Sequence, residues 1–152
     1  MENKENFEAK TKDLQIQWQD HFQTRKQTWQ ALQVSATLTI ALIAVDWRID
    51  NAWVTIISSL LIALVATFGM QITIRHRNFV EAKKFSIIVE LEKELGLNYD
   101  HPKPEEIKLY YVFFLTKSNT SLFILRMQFV IFIIALIFLV FRLAHYFENV
   151  VK

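Results

Sequence analysis

Four histidines, His21, His76, His101 and His145, are the side chains of this chain best suited to acid–base or metal chemistry. Their spacing supports neither. No two sit at the separation of a zinc-binding pair. Asp20 and His21 are sequence neighbours, so on a helix their side chains do not face each other. There is no cysteine, which excludes disulfides, thiolate metal sites and a cysteine nucleophile. With two glycines in the whole chain, a glycine-rich phosphate loop is ruled out. In Arg75-His76-Arg77 an imidazole sits between two guanidiniums, but the basic charge there reads more simply as an orientation signal. Enzymes of the bilayer carry ionisable groups inside their spans. The apolar centres of this chain carry none, so it is expected to be no enzyme and to need no metal or cofactor.

The elements that must position these residues are apolar and long. No charged side chain lies between Asp50 and Arg75. At about 1.5 Å per helical residue, that run crosses a hydrocarbon core of roughly 30 Å with some tilt. Two further apolar stretches, around residues 31–45 and 122–146, flank it. The 53% hydrophobic content decides little by itself. What decides is the segregation of apolar residues into uncharged runs, with charges between them. Two glycines and two prolines leave few breaks, so the chain reads as almost entirely helical. A net charge of +2 is too small to argue for nucleic acid. The expected fold is all-α: an integral membrane helical protein with a two-span hairpin, cytoplasmic helical extensions and a third C-terminal span. Its parts are residues 1–30 (a cytoplasmic amphipathic helix), 31–74 (the hairpin), 75–121 (cytoplasmic and interfacial helices) and 122–152 (the third span and tail).

Along the N-terminal helix, Phe7, Leu14, Trp18, Phe22 and Trp29 recur near spacings of four and seven and form one stripe. No breaker separates this helix from span one. Arg25 and Lys26 fall at the interface and Trp29 at headgroup level. The first 30 residues are polar, so no secretory leader is read and span one acts as its own insertion signal. Span one carries Gln33, Ser35, Thr37 and Thr39, which need partners in hydrocarbon; they either glue helices together or line a wet path. Residues 46–51 form a polar turn between antiparallel spans, with Trp47 and Trp53 in an aromatic belt. On span two, Ser59, Ala63 and Thr67 lie four apart, and Ala66 and Gly69 extend this small surface, which lets helix backbones approach and is expected to carry self-association. Arg75, Arg77, Lys83 and Lys84 form the clearest positive-inside cluster and place the N-terminus in the cytoplasm of a cell membrane.

Beyond span two, Ala82, Phe85, Ile88, Leu91 and Leu95 mark an amphipathic helix long enough to pack on a partner, with Gly96 near its end. Pro102 and Pro104 break the helix, and Glu105 and Glu106 suit the first turn of the next. The aromatic run over residues 109–115 is too short to span and is expected to be interfacial or re-entrant. Residues 117–121 form a polar connection and a cap for the last helix. In span three, Arg126 and Arg142 are expected to snorkel at the ends, and its Phe, Ile and Leu centre to face lipid. A single crossing places Lys152 outside.

Arg25, Lys26, Arg75 and Arg77 are candidates to hold anionic lipid headgroups. Gln33, Thr37, Ser59, Ala63, Thr67 and Gly69 are candidates for lining a pore or packing helices. An N-terminal helix, a tight two-span hairpin and a long helix continuing from span two resemble the SLATT-type two-transmembrane proteins of bacteria over about residues 10–97. The resemblance is architectural. It implies a bacterial inner-membrane protein that perturbs membranes or forms pores. The expected function is a small homo-oligomeric, channel-like or pore-like protein, because one hairpin and one further span cannot enclose a water path alone. Its partners would be the bilayer and further copies of itself, with no nucleic acid. The alternative is a non-catalytic accessory or scaffold subunit of a larger membrane complex, docked through Leu14, Trp18, Phe22 and Trp29.

Overall fold

A computed structural model describes residues 2–97, 99, 106–113 and 119–151. His101, Pro102, Pro104, Glu105, the later part of the aromatic run, Lys117, Ser118 and Lys152 lie outside them. The described residues are helical, with no strand among them. Helix α1 (Glu2–Ile49) joins the expected N-terminal helix and span one without a break. At 48 residues it is about 72 Å long. Helix α2 (Ala52–Arg75) runs through a π-helical segment (His76–Glu81) into α3 (Ala82–Glu94). A short 3₁₀ turn (Leu109–Phe113) precedes α4 (Thr120–Val151). Three stretches are long and apolar enough to cross a membrane: Glu5–Ile49, Ala52–Glu94 and Thr120–Glu148.

The turn after span one is shorter than its polar sequence suggests, because Asp46 to Ile49 remain helical. The reversal takes two residues. Asp50 adopts a left-handed φ of 51°, which Asp tolerates better than most residues, and its N–H donates to the Asp46 carbonyl (2.9 Å). Asn51 then caps α2, its Oδ1 accepting the Trp53 N–H at 2.9 Å. At the far end, Gly96 supplies the left-handed residue that ends α3 (φ 75°). The Leu97 N–H reaches the Glu92 carbonyl and the Gly96 N–H that of Lys93, closing a Schellman motif. Asn119 caps α4 by accepting the Ser121 N–H at 3.0 Å, as the polar connection predicts.

The rod of α2 and α3 runs back along α1. Side chains pair at descending levels: Asp46 with Thr55, Arg25 with Glu81, Asp20 with Lys84, and Lys10 with Glu94. The partner that the α3 stripe calls for is therefore the N-terminal half of α1 in the same chain. On α1 itself the aromatic stripe flanks the contact rather than forming it: Phe7, Phe22 and Trp29 are exposed, while His21, Thr24 and Thr28 are buried.

Helix α4 packs chiefly on α2, antiparallel to it. Ile62 and Ala66 meet Ile131 and Ala135 in one cluster; Met70 meets Leu122 and Leu125 in a second, with Ile107. Asn78 pins the connecting segment there, exchanging two hydrogen bonds with the Ile107 backbone (2.7 and 2.8 Å). This corrects the reading of span three as wholly lipid-facing. One face, through Leu122, Leu125, Gln128, Ala135 and Arg142, is buried.

Candidate functional site

The buried face of α1 is polar where a helix of a soluble protein would bury apolar side chains. Among the residues of α1 whose side chains are described, every buried one is polar: His21, Thr24, Thr28, Ser35, Thr39 and Asp46. Their steps of three, four and seven put them on one helix face. Four of the hydroxyls need no outside partner, because they donate to carbonyls one turn back: Thr24 to Asp20, Thr28 to Arg25, Ser35 to Ala31 and Thr39 to Ser35, at 2.7–2.9 Å. Small, self-satisfied hydroxyls let α1 lie close against α2 and α4.

The centre of the outward face of α1 is also polar or small, with the exposed hydrophobes Val34, Leu38, Ile40 and Val45 on its flanks. Gln30, Gln33, Thr37, Ala41, Ala44 and Arg48 follow steps of three or four, lie opposite the buried set, and are all exposed. Gln19, Gln23 and Lys26 carry the stripe toward the N-terminus. A shallow groove of about 410 Å³ runs along that part, lined by Phe22, Gln23, Lys26, Gln27 and Gln30. The outward faces of the other two spans differ entirely. Trp53, Ile57, Leu60, Leu61, Leu64 and Phe68 cover α2; Val130, Ile134, Leu136, Ile137, Val140 and Phe141 cover α4.

The six packing or pore candidates thus separate into two groups. Gln33 and Thr37 point out of the bundle. Ser59 and Gly69 are buried, and Ala63 and Thr67 are partly buried. Thr67 donates to the Ala63 carbonyl (2.8 Å), and Ala63 packs on the Ile62–Ala135 cluster. Gly69 touches the amide of Gln128 so closely that an added methyl would overlap it. Gln128 is fully buried, and neither its amide nor the Ser59 hydroxyl has a hydrogen-bond partner among the described residues.

At the end of the bundle near the α1–α2 turn lies an ion network that the sequence did not reveal. Arg142 does not snorkel; it turns inward. Its Nε donates to Asp46 Oδ2 at 2.9 Å and its Nη2 to Asp50 Oδ1 at 2.7 Å. Nη2 also reaches the Tyr146 hydroxyl at 3.0 Å, and that hydroxyl donates to Asp50 at 3.2 Å. The Thr55 hydroxyl donates to the other Asp46 oxygen. Asp46 is inaccessible to solvent, so both its oxygens are satisfied where water is excluded. The hydrogen bond from Arg142, then that from Tyr146, holds the exposed Asp50 carboxyl below the usual carboxylate range. The network ties α4 to both arms of the hairpin. A carboxylate near the end of one span and a guanidinium near the end of another was the available signal.

The opposite end holds a second charge cluster. Glu81 is buried and accepts from Arg77 at 2.6 Å, with Arg25 at 3.8 Å from its other oxygen. Two of the four headgroup candidates therefore converge on an internal carboxylate, while Arg75 and Lys26 stay exposed. Beside them a polar groove of about 280 Å³ separates α1 from the π-helical segment and α3. No group of three metal-ligating side chains converges among the described residues.

No family model, curated protein or solved structure matches this chain.

The three long apolar helices and their apolar α2 and α4 surfaces are compatible with an integral membrane protein.

Proposed function

We propose that this chain is a homo-oligomeric membrane protein whose copies assemble around the outward stripe of α1 and enclose a channel-like polar path. One observation carries the reading: Gln30, Gln33 and Thr37, with Ala41 and Ala44, form an exposed stripe on a helix of membrane-spanning length. A carboxamide facing hydrocarbon has no partner, and each unsatisfied group costs several kcal/mol there. Further copies or water must meet this stripe. The large apolar faces of α2 and α4 suit lipid and leave α1 as the side that turns inward in an assembly. The basic residues Arg25, Lys26, Arg75, Arg77, Lys83 and Lys84 favour a cytoplasmic N-terminus by the positive-inside rule. The same arrangement agrees with the pore-forming activity that the resemblance to SLATT-type proteins implies.

The absence of native cysteine makes the test direct. Single Cys variants at Gln33 and Thr37 are reconstituted in liposomes, and conductance is recorded before and after a charged thiol reagent. The expected result is a conductance that the reagent alters at these two positions and leaves unchanged at Leu64→Cys and Ile137→Cys. Silent membranes, with a monomer by native mass spectrometry, would sink the proposal. Stoichiometric recovery of a different chain bound to the stripe would replace it with the accessory-subunit reading.

A further inference from the structure

We propose that the groove between α1 and the π-helical segment is a binding site for a phosphate-bearing anion, of the kind an anionic lipid headgroup presents. This site does not rest on the channel reading and stands or falls separately. The groove encloses about 280 Å³ and is lined almost wholly by polar side chains: Asp20, Gln23, Thr24, Gln27, His76 and Lys84. Gln23 and Gln27 offer amide donors, Thr24 a hydroxyl, and Lys84 an ammonium. The Lys84 bonds are long, at 3.3–3.4 Å to the Asp20 carbonyl, the Asp20 carboxylate and the Thr24 hydroxyl, so an anionic oxygen competes well for its protons. His76 Nδ1 is buried and has no hydrogen-bond partner among the described residues.

The π-helical segment explains why His76 and Lys84 share the groove. On a regular α-helix, side chains eight residues apart diverge by roughly 80°. The wider π turns over His76–Glu81 reduce that angle, and π turns frequently mark functional sites. Charge around the groove favours an anion. Asp20 offsets Lys84, and Glu81 offsets one of Arg25 and Arg77. The exposed Lys26 and Arg75, at the same level of the chain, add basic charge beyond these pairs. Depth favours a headgroup. His76 lies two residues beyond Ile74, where the uncharged run ends, and Gln27 lies two residues before Trp29. The headgroup contacts expected of Arg25 and Arg77 thus pass to Lys84, His76 and the two glutamines.

The test uses the full chain in phosphatidylcholine vesicles with and without phosphatidylglycerol, and counts lipids retained in native mass spectra. Wild type is expected to retain phosphatidylglycerol over phosphatidylcholine. Lys84→Gln should lower that retention about fivefold, the factor for roughly 1 kcal/mol per basic group at an anionic surface, and His76→Leu should lower it by removing a ring hydrogen-bonding group. Lys84→Arg should keep it, and Lys83→Gln, at an exposed neighbour, should leave it unchanged. Circular dichroism on each variant separates a lost site from a lost fold, and His76→Leu serves if Lys84→Gln unfolds. A second arm titrates inorganic phosphate into protein in phosphatidylcholine alone, read by ³¹P line broadening. Broadening that Lys84→Gln abolishes supports the same site with a soluble source. No preference for phosphatidylglycerol and no broadening would overturn the proposal. So would an equal loss in Lys83→Gln, which would mean diffuse surface attraction.

Discussion

Helices α1 and α4 both turn a long face outward, and the two faces are built differently. On α4, every exposed residue from Phe123 to Phe141 is a large hydrophobe. On α1, a stripe of Gln30, Gln33, Thr37, Ala41, Ala44 and Arg48 runs between exposed hydrophobes, Val34, Leu38 and Val45 on one side and Ile40 and Trp47 on the other. The inward faces differ too: α4 buries Leu122, Ile124, Leu125 and Ile131 beside Gln128 and Arg142, whereas the fully buried side chains of α1 are polar and its Leu32, Leu42 and Ile43 only edge the core. In water this would be a misplaced surface. In hydrocarbon it is the expected sorting, because lipid receives the apolar faces and polar groups collect where protein or water meets them. These faces suit α4 to lipid and to α2, and in the proposed assembly α1 is the side that a second copy meets.

The strongest way to break this comparison is to release α4. Arg142→Leu leaves the buried Asp46 without its cation, and breaking a buried pair in this way costs roughly 3–5 kcal/mol. Denaturant titration in micelles should show that loss, and the double replacement Asp46→Leu with Arg142→Leu should recover most of it. A wild-type midpoint for Arg142→Leu would mean that the ion network does not hold α4. The next effect is smaller. Gly69→Leu drives a side chain into Gln128 and should destabilise the fold by about 1–3 kcal/mol through overpacking. Contacts between copies should persist in the folded fraction. Dissociated oligomers with unchanged fold stability would instead make α2 the interface and reverse the assignment of faces.

The smallest effect is electrostatic. The Asp50 carboxyl titrates lower in the fold than in the unfolded chain, chiefly because Arg142 donates to it. Its contribution is therefore fully present above the unfolded value of about 3.9 and is lost as pH falls through the lower folded value. Stability measured against pH should show no loss from this group between neutrality and about pH 4, then a decline that Asp50→Asn flattens. Asp50 is exposed, so the amplitude is expected to be small.

Much of the architecture is legible in sequence because hydrocarbon imposes a length. The uncharged run between Asp50 and Arg75 allows a span, and the absence of breakers before Ala31 predicts the unbroken α1. The Asn119 cap and the stop at Gly96 are local signals of the same kind. The packing is harder to read. Periodicity places Ser35 and Thr39 on one face of α1 and Gln33 and Thr37 on another, but it does not say which polar face meets α2. The ion network joins Asp46 to Arg142 across 96 positions. Each alone looks like a charge resting at the end of a span. The π-helical segment has no glycine or proline to announce it. The small face of span two is legible as a packing surface, but its partner is α4 of the same chain, where a second copy is expected from sequence, because a centre rich in Phe, Ile and Leu hides that role of α4.

Disulfide trapping in native membranes tests the division of faces most directly. Single cysteines at Gln33, Thr37, Ala41 and Ala44 sample the α1 stripe, and single cysteines at Leu64, Ile137 and Val140 sample the apolar faces. Copper-phenanthroline oxidation should give covalent dimers of this chain at the stripe positions, strongest where the three- or four-residue period recurs, and little or none on α2 and α4. Dimers through Leu64, Ile137 or Val140, with none through Gln33 or Thr37, would contradict the assignment of α1 as the side on which copies meet.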